Sequence, residues 1–311
     1  MIHLIKKIFS TIVFFFSLVN INAQSIYKCF ESFNDSLFYE VMGNGTPVLF
    51  LSGGPGGAPA SLQNIIDYVN KDHYTILLHQ RGTGLSSNIK IDSASITLDQ
   101  YIDDIDKLMQ RENLSNFYII GHSWGSMLGM EYMVRNPLKV KGLILIGAPG
   151  YSLDFVQSMN NEMFKRMTSN EMDSLKIYFE SLNTISDSTQ IMPIQEKISK
   201  LTLSKQFYDS SLLENLLSSG GMNMKVNTMM MNDLRVSKWN IKEELEKLNN
   251  PVVIINGDYD PIDQRYVMEL NNSLKNGKLH FINNCGHYVW IEKPKELQSI
   301  IEEFFHEHKF N

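Results

Sequence analysis

Phe117-Tyr118-Ile119-Ile120-Gly121-His122-Ser123-Trp124-Gly125 joins a short apolar run to a helix-like stretch, residues 126–135. A strand, a tight turn and a helix in that order are the setting in which G-x-S-x-G forms a nucleophile elbow, with the serine hydroxyl raised above a parallel sheet. The pentapeptide alone is common, so the rest of the chain has to supply the sheet, a base and an acid.

Further apolar runs at 37–42, 47–51, 74–79, 140–146, 251–256 and 278–282 alternate with helical patterns. This is the rhythm of a mainly parallel sheet covered on both faces. Residues 97–112 predict a helix: Leu98, Tyr101, Ile102, Ile105, Leu108 and Met109 share one face, Asp103, Asp104 and Asp106 lie opposite, and Thr97 is the N-cap. The alternation stops near Pro149-Gly150 and resumes near Pro251. Between them the chain is rich in helix formers and holds ten of its seventeen methionines. Residues 150–245 therefore read as a helical cap inserted into a core of residues 24–149 and 246–311. Its methionines either fill ordinary core or line an adaptable pocket.

Residues 1–23 carry Lys6 and Lys7, an apolar stretch from residue 8 to 19, and a polar tail ending in Ala23. That is the pattern of a secretory signal peptide, implying a secreted or periplasmic protein with no stable membrane insertion after cleavage. The formal charge is −6, or −8 without the two lysines, and no basic run remains, which argues against a nucleic-acid partner. Cys29 and Cys285 are enough for one disulfide, but nothing in the sequence makes them neighbours.

A serine hydroxyl needs a base within reach, and the base needs a third group to orient it. The run at 251–256 is followed by Gly257-Asp258-Tyr259-Asp260-Pro261, and the run at 278–282 by Asn283-Asn284-Cys285-Gly286-His287. Both loops sit where open α/β sheets build their sites, beyond the strand C-termini. His287 is read as the general base for Ser123; His122 is adjacent in sequence, but the elbow turns the two side chains apart. Asp258 and Asp260 both remain available as the acid, with Asp260 preferred because the turn closed by Pro261 fixes it. The oxyanion hole is assigned to the backbone N–H of Trp124 and, from the loop Ser52-Gly53-Gly54-Pro55-Gly56-Gly57, to that of Gly54. A phosphate loop would require a Walker lysine or G-x-G-x-x-G spacing, and both are missing. No cofactor and no metal are called for.

Together these residues resemble the α/β-hydrolase superfamily, and within it the proline iminopeptidase-like serine peptidases of family S33. Ser52 to Gly56 correspond to that family's H-G-G-P-G, His79-Gln80-Arg81-Gly82-Thr83-Gly84-Leu85-Ser86 to D-Q-R-G-x-G-x-S, and Gly121 to Ser126 to the elbow. Gly257 to Asp260 match its G-x-Y-D acid loop, which supports Asp260, and Cys285-Gly286-His287 with Glu292-Lys293-Pro294 match its closing segment. The resemblance implies an α/β-hydrolase fold with a helical cap and an aminopeptidase releasing N-terminal residues such as proline from small peptides. Two positions depart from it: Ser52 replaces histidine and His79 replaces aspartate. The family's cap glutamates that bind the substrate amine, often in E-x-H-Y-F, have no counterpart in Gly220-Gly221-Met222-Asn223-Met224-Lys225, and no acid follows until Asp233. Glu162, Glu171, Glu180, Glu196 and Glu214 are the remaining candidate anchors. The alternatives are an esterase or amidase acting on small apolar acyl substrates, and a non-catalytic ligand-binding protein that uses the cap pocket.

Overall fold

The seven apolar runs form seven strands, in a computed structural model that describes residues 25–185 and 188–309. The signal-peptide reading of residues 1–23 lies outside the described residues. The strands are β2 (Asp35–Met42), β3 (Thr46–Leu51), β4 (His73–Leu78), β5 (Phe117–His122), β6 (Val140–Ile146), β7 (Val252–Gly257) and β8 (Gly277–Ile282). An eighth, β1 (Ile26–Ser32), has no continuous apolar run and was not expected. It is an edge strand, antiparallel to β2, whose outward residues Ile26 and Tyr27 stay exposed.

The sheet order is β1-β2-β4-β3-β5-β6-β7-β8. β2 meets β4 antiparallel, and every pair from β4 to β8 is parallel. All six residues of β5 and of β7 are buried, as a sheet covered on both faces requires. The helices outside the cap region are α1 (Gln63–Val69), α2 (Leu98–Arg111), α3 (Trp124–Arg135), α10 (Gln264–Asn272), α11 (Val289–Glu292) and α12 (Pro294–Glu307). Because β3, β5, β7 and β8 run parallel, the loops carrying Gly54, Ser123, Asp260 and His287 leave the same edge of the sheet.

Between β6 and β7 lie α4 (Phe155–Lys165), α5 (Ser169–Thr184), α6 (Ser188–Ser204), α7 (Leu213–Leu217), α8 (Met224–Val236) and α9 (Lys242–Leu245). These helices are not uniformly detached from the sheet domain. Val226, Met230 and Leu234 of α8 are fully buried in the same core as β3, β5 and α2. Met230 is thus core filling, whereas Met222 and Met224 are 40% and 46% exposed. Among the described residues no helix is long and apolar enough to cross a membrane.

One pairing left open by the sequence does not form, and one residue is placed differently. Cys29 is exposed on the edge strand and Cys285 is buried in the loop after β8, and both thiols are free. Asp104 does not face solvent with Asp103; it is 2% exposed. It accepts from Arg81 Nε at 2.6 Å and Nη2 at 2.8 Å. The same guanidinium reaches Asp35 Oδ2 at 2.9 Å and Ser32 Oγ at 3.1 Å. Arg81 therefore sutures α2 to the β1–β2 hairpin and to the loop after β4. Asp104→Ala leaves that buried cation with half its partners, and the expected cost is about 3–5 kcal/mol in urea unfolding. A loss well under 1 kcal/mol would show the suture to be energetically idle.

Candidate active site

Ser123 takes φ 53° and ψ −114° between β5 and α3, a strained conformation for a residue with a side chain. The turn is held by Ser123 N–H to Ile146 O at 2.9 Å, and by Gly125 passing so close to β3 that a Cβ there would lie 2.0 Å from Leu51 O. Ser123 stays partly exposed while its neighbours His122 and Trp124 are buried. Trp124 is the first residue of α3, where a helix N–H has no intrahelical acceptor and is free to meet developing negative charge.

The loops after β7 and β8 bring Asp260 and His287 together. His287 Nδ1 lies 2.7 Å from Asp260 Oδ2, and the two side chains are 3% and 1% exposed. Asp260 Oδ1 accepts from Ile262 N–H at 2.9 Å, so the carboxylate is fixed on both oxygens. Asp258, the other acid in the loop, accepts from Cys285 N–H at 3.2 Å and does not touch the imidazole. The His287 ring lies over Gly147, whose Cβ would be 2.9 Å from it, just beyond the β6 residue that holds Ser123 N–H. Among the described residues Ser123 Oγ makes no hydrogen bond. Catalytic contacts commonly close only when substrate binds.

His122 lies beside the base without replacing it. Its Nε2–H donates to His287 O at 3.3 Å, and its ring packs on Trp290 at 4.5 Å. Burial, with His287 nearby, holds its pKa well below the usual imidazole value, so it stays neutral. Cys285 is no competing nucleophile, because burial pushes its thiol pKa up.

The two departures from the family motifs prove to be loop-shaping. His79 Nδ1 accepts from Leu85 N–H at 2.9 Å, which leaves Nε2 facing Glu40 at 2.8 Å. Ser52 Oγ donates to Gly57 O at 3.2 Å and accepts from Gln80 Nε2 at 3.1 Å. Gln80 was not singled out from sequence, yet it also donates to Ser52 O at 3.0 Å and accepts from the Trp124 indole at 2.9 Å. One buried amide thus ties the Gly54 loop to the residue after Ser123. The only sequence signal for it is its place beside Arg81 in the second matched motif.

The candidate amine anchors are engaged elsewhere. Glu162 pairs with Arg166 at 3.2 Å, and Glu171 with Lys205 at 2.6 Å. Glu180 sits 4.0 Å from Lys176, and Glu196 and Glu214 flank Lys200 at 3.8 and 3.4 Å. Those last three side chains are 66–74% exposed. Asp233 caps α2 by accepting from Leu98 N–H at 2.9 Å.

An eight-stranded, mostly parallel sheet with a serine elbow and an Asp–His pair at its C-terminal edge agrees with the comparisons to known proteins. A family model described as the alpha/beta hydrolase fold matches residues 46–294, and the chain belongs to that family. Within it the chain is proline iminopeptidase-like. It is 24% identical over 272 residues to a proline iminopeptidase of Heyndrickxia coagulans, covering 86% of this chain and 92% of that one. The crystal structure of a proline iminopeptidase from Mycobacterium smegmatis superposes with a TM-score of 0.72 at 18% identity, over 91% of this chain and 98% of that one. A meta-cleavage product hydrolase from Pseudomonas fluorescens IP01 gives 0.68 at 21% identity, over 93% and 99%. At such identities the two structures speak for the fold alone.

Proposed function

We propose that this hydrolase forms an acyl-enzyme at Ser123 and releases it with water, and that its substrates are short peptides from which it removes an N-terminal residue such as proline. The observation that carries the mechanism is the 2.7 Å contact between His287 Nδ1 and Asp260 Oδ2 beside a strained serine elbow. Ser123 Oγ attacks the carbonyl carbon as His287 Nε2 takes its proton, and Asp260 holds the imidazole in the tautomer that leaves Nε2 free to do so. The N–H groups of Trp124 and Gly54 receive the oxyanion. His287 then passes the proton to the departing amine, and a water activated by the same base opens the ester. The peptide substrate is supported by the proline iminopeptidase relatives, which align along most of their own length.

A second reading, hydrolysis of small apolar esters or amides, is favoured by the pairing of each candidate cap glutamate with a cation of the protein itself. Prolyl and other aminoacyl naphthylamides, free and N-acetylated, separate the two when assayed beside short-chain nitrophenyl esters. Recognition of the α-ammonium by a buried charge should favour the free amide by about 30-fold or more in kcat/KM, the equivalent of roughly 2 kcal/mol. Equal turnover of free and acetylated amides would move the assignment to the esterase or amidase reading. The proposal further places the mature protein outside the cytoplasm, supported by the charged and apolar pattern of residues 1–23. Unprocessed protein confined to the cytoplasm would contradict that placement.

A further inference from the structure

The segment between β6 and β7 meets the Asp260–His287 pair through the Gln206 carbonyl, and one guanidinium ties the preceding carbonyl to the residue before Asp260. Lys205 O accepts from Arg166 Nη1 at 2.8 Å, and Gln206 O accepts from His287 N–H at 2.7 Å. Gly286 is pressed against the same segment, so that a Cβ on it would lie 2.1 Å from Gln206 O. Arg166 caps the C-terminus of α4 and sends the same Nη1 to Tyr259 O at 2.9 Å. Its guanidinium also lies over the Tyr259 ring, 3.9 Å from the centroid, and Glu162 steadies Nε at 3.2 Å. The side chain is only 11% exposed.

Tyr259 directly precedes the acid, and its N–H bonds Cys285 O at 2.8 Å, so a push on Tyr259 moves both loops of the pair. A planar, five-donor fork can bridge two carbonyls and stack on a ring at once, which a lysine ammonium cannot do. These contacts also lie outside the sheet core. The bond from Ile262 N–H to Asp260 and the bond from Tyr259 N–H to Cys285 O do not involve Arg166.

We propose that Arg166 is a positioning residue for the Asp260–His287 pair: it locks α4, the Lys205–Gln206 segment and the acid loop into one unit, so that the seating of the cap sets the orientation of the base. The inference rests on the proposed roles of Asp260 and His287. The test uses Arg166→Ala and Arg166→Lys in the full mature chain. Two quantities are read: steady-state kinetics on the best substrate, and the downfield proton resonance of His287 Nδ1–H in the resting protein.

The expected result for both variants is a kcat lower by about 10- to 100-fold with KM little changed, in line with the cost of a misplaced catalytic group. The downfield resonance should shift or broaden while the melting temperature stays near that of wild type. Millimolar guanidinium should restore part of kcat to Arg166→Ala, a rescue that a general loss of packing would not show. Variants with wild-type kcat and an unmoved resonance would overturn the proposal, as would a change confined to KM. Should Arg166→Ala fail to fold, Arg166→Lys decides by the same two readings. A wild type with the downfield resonance but no turnover contradicts the hydrolase reading instead, and the variants are then judged on the resonance alone.

Discussion

Ser123→Ala is expected to lower kcat by about 10⁶-fold, the loss typical of removing the nucleophile from a hydrolase that works through a serine, histidine and acid acting as a unit. Among the described residues Ser123 Oγ has no hydrogen-bond partner, so its removal leaves none of their buried groups unpaired. The melting temperature should therefore hold while activity vanishes. His287→Ala should fall to a similar residual rate, and the double variant should be hardly worse than either single one, because the two groups perform one step. A Ser123→Ala protein retaining a tenth of wild-type activity would mean that the chemistry lies elsewhere in the molecule.

The second large effect separates two neighbouring carboxylates. Asp260→Asn keeps the shape of the loop but presents an amide to His287 Nδ1, which favours the wrong tautomer of the imidazole. The expected drop in kcat is about 10⁴-fold. Asp258→Asn should stay near wild type, since Asp258 accepts a single long bond from Cys285 N–H and stands away from the ring. The reverse ranking, measured on the same substrate, would transfer the role of the acid to Asp258 and require the loop to rearrange on binding.

The parts of this site that follow from sequence are those fixed by local patterning. Ser123 and Asp260 each follow a fully buried parallel strand and His287 follows the half-buried edge strand β8, and all three strands announce themselves as short runs between turn residues. What escapes is set by distant partners. β1 is an edge strand with alternating exposure, so Ile26 to Ser32 carry no continuous apolar signal. Asp104 sits among helix-face acids, and only its contact with Arg81, 23 residues earlier, draws it inside.

The contacts of Gln80, His122 and Arg166 escape for the same reason. Their partners lie 44, 165 and 93 residues away, and no periodicity encodes such pairings. The amine anchors show the limit in the other direction. Five glutamates are easily found in the sequence between β6 and β7, but only the fold reveals that each is paired with a cation of the protein.

The departures at Ser52 and His79 illustrate how a motif residue can change without moving the site. Gln80 reaches the Ser52 hydroxyl and carbonyl together, and His79 braces the following loop from Leu85 N–H to Glu40. Ser52 shapes the loop that carries Gly54 and His79 shapes the loop after β4 that carries Gln80. In the proposed mechanism the chemistry rests on the elbow and the Asp–His pair, and selectivity on the helices between β6 and β7.

The most direct test is to treat the folded protein with a fluorophosphonate, determine the intact mass and map the modified peptide. The expected result is one adduct per chain, located on Ser123, and its complete loss in Ser123→Ala. No adduct on the folded wild type, or equal labelling of Ser123→Ala, would contradict an acyl-enzyme mechanism at this serine.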